Sequence, residues 1–202
     1  MYNADTGVSI TLSSTIPTRT GYTFLGWSTS SSATSSSYSG GSAYTFSAST
    51  TLYAVWTAIT YSVKYNGNGS TSGSMSNSSH TYDVAKALTA NAFSRAYTVT
   101  YNANGGSVSP TSATATATFK GWSTSSSATS ATYTDKQSVS NLRSTSGATV
   151  NLYAVWTLGS VPLPTPARAG YTFKGWSTSS SATSGSTGSY TPTGNVTLYA
   201  TW

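Results

Sequence analysis

The feature that most constrains this chain is a two-part aromatic signature that occurs three times. Its first part is Gly-Tyr-Thr-Phe-Leu-Gly-Trp-Ser-Thr at Gly21–Thr29, and its second is Leu-Tyr-Ala-Val-Trp at Leu52–Trp56. The pair returns as Phe119–Trp122 with Leu152–Trp156, and as Gly170–Trp176 with Leu198–Trp202. All six tryptophans lie in these motifs, three in each part. Tryptophan placed this strictly is an architectural component. A short unit repeated along a chain builds an array of small modules rather than one large core.

Small modules bury a limited fraction of their surface and are individually marginal. Aromatic residues, 13% of the 202, supply the core that sparse aliphatics cannot. The expected core is Trp27, Trp56, Trp122, Trp156, Trp176 and Trp202 with Tyr53, Tyr153, Tyr199, Phe24, Phe119 and Phe173. Six indoles at fixed sites serve first to bury area, at about 25 cal/mol per Å². The competing reading is a sugar-stacking platform, and it requires exposed indole faces.

Charged residues are only 6% of the chain, against about 25% in typical globular domains. Hydration therefore falls to Ser, Thr, Asn and Gly, a surface more typical of extracellular and virion proteins than of cytoplasmic enzymes. Abundant aromatic and β-branched residues argue against disorder. The net charge of +6 reflects three Asp and no Glu, not a basic cluster. Nine scattered Lys and Arg do not form the concentrated patch that nucleic acid requires. Without cysteine there is no disulfide framework, thiolate metal site or thiol nucleophile. No apolar run of about 18 residues occurs, so membrane insertion is not expected. Met1 leads into Tyr-Asn-Ala-Asp with neither a basic nor an apolar leader region, so no signal peptide is read. Release by lysis as part of a virion, or a piece of an exported adhesin, are the two routes consistent with that.

The chain divides into four units. Residues 1–57 form unit 1, with its opening strand missing: Val8, Ile10 and Leu12 alternate with polar residues, and Tyr22-Thr23-Phe24 and Tyr44-Thr45-Phe46 do the same. Leu52–Trp56 is apolar on both faces, which suits a central strand. Residues 58–96 form a partial unit 2, a front half only. It opens with Tyr61-Ser62-Val63-Lys64-Tyr65 and turns at Asn66-Gly67-Asn68-Gly69, where Asn-Gly favours tight hairpins. Residues 82–93 suit a short helix or an extended strand equally. Residues 97–157 read as unit 3, from Tyr97–Tyr101 through Asn102–Gly106 to Leu152–Trp156. Residues 158–202 form partial unit 4, the closing half, with Pro162, Pro164, Pro166 and Arg168 before Gly170–Trp176. The segments that separate the two tryptophans of each pair differ in length only within Ser/Thr/Gly-rich stretches, as loops do.

These residues resemble the Listeria–Bacteroides repeat, also called the internalin B-type B repeat. That family is similar in its opening Tyr-x-Val-x-Tyr strand (Tyr97–Tyr101), its Asn-Gly-Gly turn (Asn104–Gly106), its Pro-x-Arg-x-Gly-Tyr-x-Phe-x-Gly-Trp stretch (Pro17–Trp27 and Pro166–Trp176) and its closing Leu-Tyr-Ala-x-Trp. The resemblance covers nearly the whole chain. It implies a mainly β fold of tandem β-grasp-like modules with mixed and antiparallel sheets and at most one short helix. It also implies exported bacterial surface proteins or phage-like proteins, and it carries no catalytic residues.

No reactive constellation competes with this reading. Glycoside cleavage needs two placed carboxylates, and Asp5, Asp83 and Asp135 stand in turn-like, unrelated contexts. His80 is the only histidine, expected as an exposed loop residue, and no Gly-x-Ser-x-Gly elbow accompanies it. Metal ligands are lacking, and the glycine pairs are turns without a following helix. No catalytic residue, metal or cofactor is expected. Arg19, Arg95 and Arg168 recur before the aromatic strand, which suggests stacking on a neighbouring ring worth about 0.5–2 kcal/mol.

The sequence thus points to a non-enzymatic structural or adhesion protein on a virion or bacterial cell surface, as fibre, decoration or spacer. A carbohydrate-binding module using exposed Trp or Tyr on a host or surface glycan is the alternative. The expected partners are other copies or structural proteins of the same particle, reached through open strand edges, and a glycan receptor.

Overall fold

The computed structural model describes residues 7–202; Asp5 lies outside them. Among the described residues the regular elements are all strands, in chain order β1 (Val8–Thr11), β2 (Tyr22–Ser28), β3 (Ala43–Phe46), β4 (Tyr53–Ala58), β5 (Thr60–Asn66), β6 (Ser78–Thr81), β7 (Lys86–Ala87) and β8 (Ala96–Asn102). They continue as β9 (Ser112–Thr116), β10 (Thr118–Ser123), β11 (Ser138–Val139), β12 (Thr149–Thr157), β13 (Val161–Pro162), β14 (Gly175–Ser177), β15 (Ser189–Tyr190) and β16 (Val196–Thr201). The fold is mainly β, in small antiparallel and mixed sheets. The stretch 82–93 is not a helix: after a turn with Asp83 at φ 59°, it contributes only β7, paired with β11.

Two compact units form. One comprises Met1–Lys64, Asn77–Leu88 and Ser138–Val150. Within it β1 pairs with β3, and β2 with β4, both antiparallel. Leu12, Tyr44, Val55 and Ile59 are buried here. The closing strand β4 differs from expectation. Among the described residues its only ladder partner is β2, so it lies at a sheet edge. Apolar residues on both faces suit a central strand, and among the described residues one side of β4 has no paired strand. In the same unit Thr60–Val63 of β5 pair antiparallel with β6. That ladder places His80 opposite Tyr61 and turns it inward, so it is 1% exposed instead of lying in a loop. The Ser/Asn-rich composition around it hid the strand.

The other unit comprises Tyr65–Ser76, Thr89–Gln137 and Asn151–Trp202. Its four-stranded sheet has the order β14-β16-β8-β9, with β16 and β8 parallel and the outer pairs antiparallel. Parallel pairing is possible because a long stretch of chain intervenes between the two strands. Val99, Tyr101, Ala115, Val161, Trp176, Leu198 and Ala200 form one buried cluster on this sheet. Alternation explains it: Val99 and Tyr101 are successive inward positions of β8, and Leu198 and Ala200 of β16. In the same unit β10 pairs antiparallel with the second half of β12.

The remaining four-stranded sheet has the order β10-β12-β5-β6. In the two four-stranded sheets the strand neighbours do not follow the order of the motifs along the chain. The opening strand β8 pairs with the closing strand β16, not with β12. The earlier opening strand β5 is the one beside β12. Front and closing halves therefore alternate along the chain: residues 58–96 with 118–157, and 97–117 with 158–202. The stretch that links a recurrent Arg to its Gly-Trp is split, with Arg95–Tyr97 at the start of the β8–β9 hairpin and Phe119–Trp122 after it. Both front halves offer equivalent strands and Asn-Gly turns, so local sequence could not say which closing half each would meet.

Candidate functional site

Each Gly-Trp motif folds into the same aromatic clasp. Phe24 stands edge-on to Trp27 and Trp56, with centroids 5.3 and 5.5 Å away. Phe119 stands likewise to Trp122 and Trp156 at 5.0 and 5.4 Å, and Phe173 to Trp176 and Trp202 at 5.8 and 5.9 Å. Edge-to-face pairs at these separations add about 0.5–1.5 kcal/mol beyond area burial. Register brings the rings together. Phe24 opposes Trp56 and Phe119 opposes Trp156 on adjacent strands, and a one-residue bulge at Leu25 or Lys120 then turns the following Trp to the same side.

Glycine is required at the bulge. Gly26, Gly121 and Gly175 have φ of 138°, 133° and 123°. A Cβ at Gly26 or Gly121 would run into the carbonyl oxygen of Tyr38 or Tyr133. That carbonyl accepts the next N–H: Trp27 N–H donates to Tyr38 O and Trp122 N–H to Tyr133 O, both at 2.7 Å. The stretch Trp-Ser-Thr-Ser-Ser-Ser-Ala-Thr-Ser that leaves the clasp is identical at residues 27–35, 122–130 and 176–184. Its fold is identical as well. Ser30, Ser125 and Ser179 each donate their N–H to the Oγ of the serine two residues earlier, at 3.2 Å in all three.

The front halves lock onto the clasps through their Asn-Gly turns. Asn68 and Asn104 both adopt φ of 47°. The Asn68 side-chain amide donates to Ser126 O and Ala154 O, each at 2.9 Å, and that of Asn104 donates to Ser180 O and Ala200 O, each at 3.1 Å. Trp156 Nε1 donates to Gly67 O at 2.9 Å, and Trp202 Nε1 to the carbonyls of Ala103 and Asn104 at 3.1 Å. Tyr65 packs 5.0 Å from Trp122, and Tyr101 5.2 Å from Trp176, centroid to centroid. These contacts pair the halves in the same alternating way as the strands.

The recurrent arginines lie on rings. The guanidinium carbon of Arg19 is 3.6 Å from the Tyr22 centroid, that of Arg168 3.8 Å from Tyr171, and that of Arg95 5.5 Å from Tyr97. Arg95 Nε also donates to Tyr97 Oη at 3.0 Å. Arg95 and Arg168 reach back to the carbonyls of Asn68 and Asn104, at 3.4 and 3.3 Å.

Among the aromatic residues expected inside, Trp122 and Trp176 are buried, 0% and 3% exposed. Trp27, Trp56, Trp156, Trp202, Phe24, Phe119, Phe173, Tyr153 and Tyr199 are half-buried. Tyr53 departs from the expectation at 42% exposed, since no strand covers the outer side of β4 among the described residues.

Asp83 and Asp135 act as turn and backbone anchors. Asp135 accepts the N–H of Asn91 at 2.9 Å. Asp83 accepts from Tyr22 Oη at 2.8 Å and Asn141 Nδ2 at 2.7 Å, and these two hydrogen bonds, with Arg19 nearby, hold its carboxyl below the usual range. His80 stacks on Tyr61 at 5.6 Å and shares a 3.0 Å hydrogen bond with Ser78 Oγ, while its Nδ1 is buried without a partner. Desolvation, followed by the Lys86 charge, lowers its pKa. No cluster of three or more metal-ligating side chains occurs among the described residues. The Asn caps and the Tyr22–Asp83–Asn141 contact escaped sequence reading. The Asn-Gly pairs marked turns, but nothing local marked which distant carbonyls they would cap.

The sequence model described as the Listeria-Bacteroides repeat domain matches residues 2–55, 97–118 and 144–201. The second matched segment holds the β8–β9 front half, and the third contains all of residues 158–202 but the last. No curated protein and no solved structure matches the chain.

Proposed function

Since the chain belongs to the Listeria–Bacteroides repeat domain family, whose membership points to a structural, surface-associated repeat protein, we propose that it is a non-enzymatic structural and adhesion protein displayed on a virion or bacterial cell surface. It serves there as fibre, decoration or spacer. The observation that carries this reading is the threefold aromatic clasp, in which side chains of fixed geometry are committed to holding modules closed. The low-charge hydroxyl surface supports it, as does the use of Asp83, Asp135 and His80 in structural contacts. No helix among the described residues is long and apolar enough to cross a membrane.

Binding of a host or surface glycan is the second reading. Burial of Trp122 and Trp176 removes those indoles from consideration, so it draws on Tyr53 and Tyr171, 42% and 56% exposed. Antibody labelling of intact producer cells and of the particles they release tests the first reading: label on an outer surface is expected, and label confined to the cytosol contradicts it. A glycan array probed with the wild type and with Tyr53→Ala and Tyr171→Ala variants tests the second, which requires a hit that the variants lose.

A further inference from the structure

The loop that leaves each clasp returns to pair with its own Trp. The residue that does so is Tyr38 for Trp27 and Tyr133 for Trp122. The third loop is one residue shorter, and Ser186 takes that place beside Trp176. The backbone pairing is retained: Trp27 N–H donates to Tyr38 O at 2.7 Å, and Trp176 N–H to Ser186 O at 2.8 Å. What differs is the side chain. The Tyr38 ring stands edge-on to Tyr44, with centroids 4.7 Å apart.

The surroundings of that ring recur in the third clasp. Ile10 pairs with Tyr44 in the β1–β3 ladder, as Val161 pairs with Tyr190 in the β13–β15 ladder. Further along, Leu12 N–H donates to Ser42 O and Leu163 N–H to Gly188 O, both at 2.9 Å. Leu163 and Tyr190 are therefore the counterparts of Leu12 and Tyr44. Leu12 and Tyr44 are each only 8% exposed, whereas Leu163 and Tyr190 are half-buried. A cavity of about 240 Å³ is bounded by Leu163 and Tyr190, by Trp176 and Leu198, and by the hydroxyl residues Ser177 and Ser186. Tyr190 borders this cavity as Tyr44 borders the Tyr38 ring, and Ser186 forms the wall from which that ring would project.

We propose that the cavity binds a free monocyclic phenol, whose ring takes the position that Tyr38 fills in the first clasp. Size and lining both favour a single ring. An apolar cavity of about 150 Å³ suffices to take up benzene, so the space beside Trp176 admits one ring with a small substituent. Leu163, Trp176, Tyr190 and Leu198 supply apolar walls, and the Ser177 and Ser186 side chains set hydroxyls beside them for the phenol O–H. A mostly apolar pocket with a few placed polar groups is how proteins orient small molecules. The ligand is a free molecule rather than a tyrosine of another chain, because Ser186 itself holds the backbone position from which Tyr38 sends its ring to Tyr44.

The test titrates the isotope-labelled full chain with p-cresol and follows the backbone amide resonances. Saturable shifts are expected at Ser186, Tyr190 and Leu198, with Tyr133 and Leu152 of the second clasp unmoved. In a Ser186→Tyr variant the chain supplies the ring itself, and p-cresol should bind at least tenfold more weakly. Four results overturn the proposal: no saturable shift at the three residues, equal shifts in the second clasp, undiminished affinity in a folded Ser186→Tyr variant, or tighter binding of N-acetyl-tyrosinamide than of p-cresol. Should Ser186→Tyr fail to fold, the wild-type titration still decides, because the second clasp of the same chain is its control.

Discussion

Tyr22 donates a 2.8 Å hydrogen bond to the carboxylate of Asp83, a residue 61 positions further along the chain. Asn141 completes the contact, giving its side-chain N–H to the other carboxylate oxygen and accepting the Asp83 backbone N–H. The Tyr82 ring stands edge-on to Tyr22 at 6.0 Å and covers Gly21, where a Cβ would collide with it. A Gly-Tyr pair from one part of the chain and a Tyr-Asp turn from another thus form one joint.

The joint has a pH window with two limbs. Asp83 is held below its ordinary value of 3.8, first by the Tyr22 hydrogen bond and then by Asn141. Its contribution is present above that value and is lost as pH falls through the lower folded pKa. Tyr22 is raised above 10.0, mainly by the same hydrogen bond. Its contribution is present below that value and is lost as pH rises through the higher folded pKa. Urea unfolding of wild type and Tyr22→Phe should therefore differ most near neutrality and converge at both extremes. A difference independent of pH would show that the hydrogen bond is not its source.

His80 sets a second window. Burial, and then Lys86, lowers its pKa from 6.5, so the unfolded chain takes up the proton first. Stability should fall as pH drops below about 6.5 and level off once the folded state also protonates. In a His80→Gln variant the slope between pH 7 and pH 5 should flatten, whatever the variant's absolute stability.

The bulge glycine should be the least replaceable backbone position. Gly121→Ala places a Cβ against Tyr133 O at φ 133°, and both the strain and the clash point to a cost of roughly 3 kcal/mol or more. Gly147 also has positive φ, 70°, but a Cβ there meets nothing. Gly147→Ala should cost only about 1 kcal/mol. Comparing the two by chemical denaturation separates steric collision from conformational preference alone.

Trp122 is fully buried between Tyr65, Phe93 and Phe119, so Trp122→Ala should cost about 3–5 kcal/mol. Trp27 is only half-buried, in a sheet with one side unpaired among the described residues. Trp27→Ala should cost clearly less, and a smaller loss at Trp122 than at Trp27 would contradict the difference in burial.

The clasp residues were legible because their periodicity is local. Phe and Trp three apart, with Gly between, form a bulged strand at Phe24–Trp27 and at Phe119–Trp122. The closing Leu-Tyr-Ala-Val-Trp reads as a strand by composition alone. Partner choice was not legible. Val99 and Tyr101 match Val63 and Tyr65 in type and spacing, and nothing in Leu152–Trp156 or Leu198–Trp202 distinguishes which pair each receives. His80 and Asp83 were misjudged or passed over for a related reason. Their roles come from Tyr61, Tyr22 and Asn141, and a polar stretch of sequence does not announce a strand whose ladder partner is elsewhere.

Front and closing halves alternate along the chain, and because the sequence holds no cysteine an engineered disulfide can report that alternation. Thr100 lies opposite Thr197 in the parallel ladder. Asn151 is the position in β12 that corresponds to Thr197 by the closing motif. Adjacent strands lie about 4.7–4.9 Å apart, within disulfide reach. Under oxidising conditions, a Thr100→Cys, Thr197→Cys pair should cross-link within one chain, and a Thr100→Cys, Asn151→Cys pair should not. Cross-linking of 100 to 151 in place of 100 to 197 would show that residues 97–157 close on themselves and that the halves do not alternate.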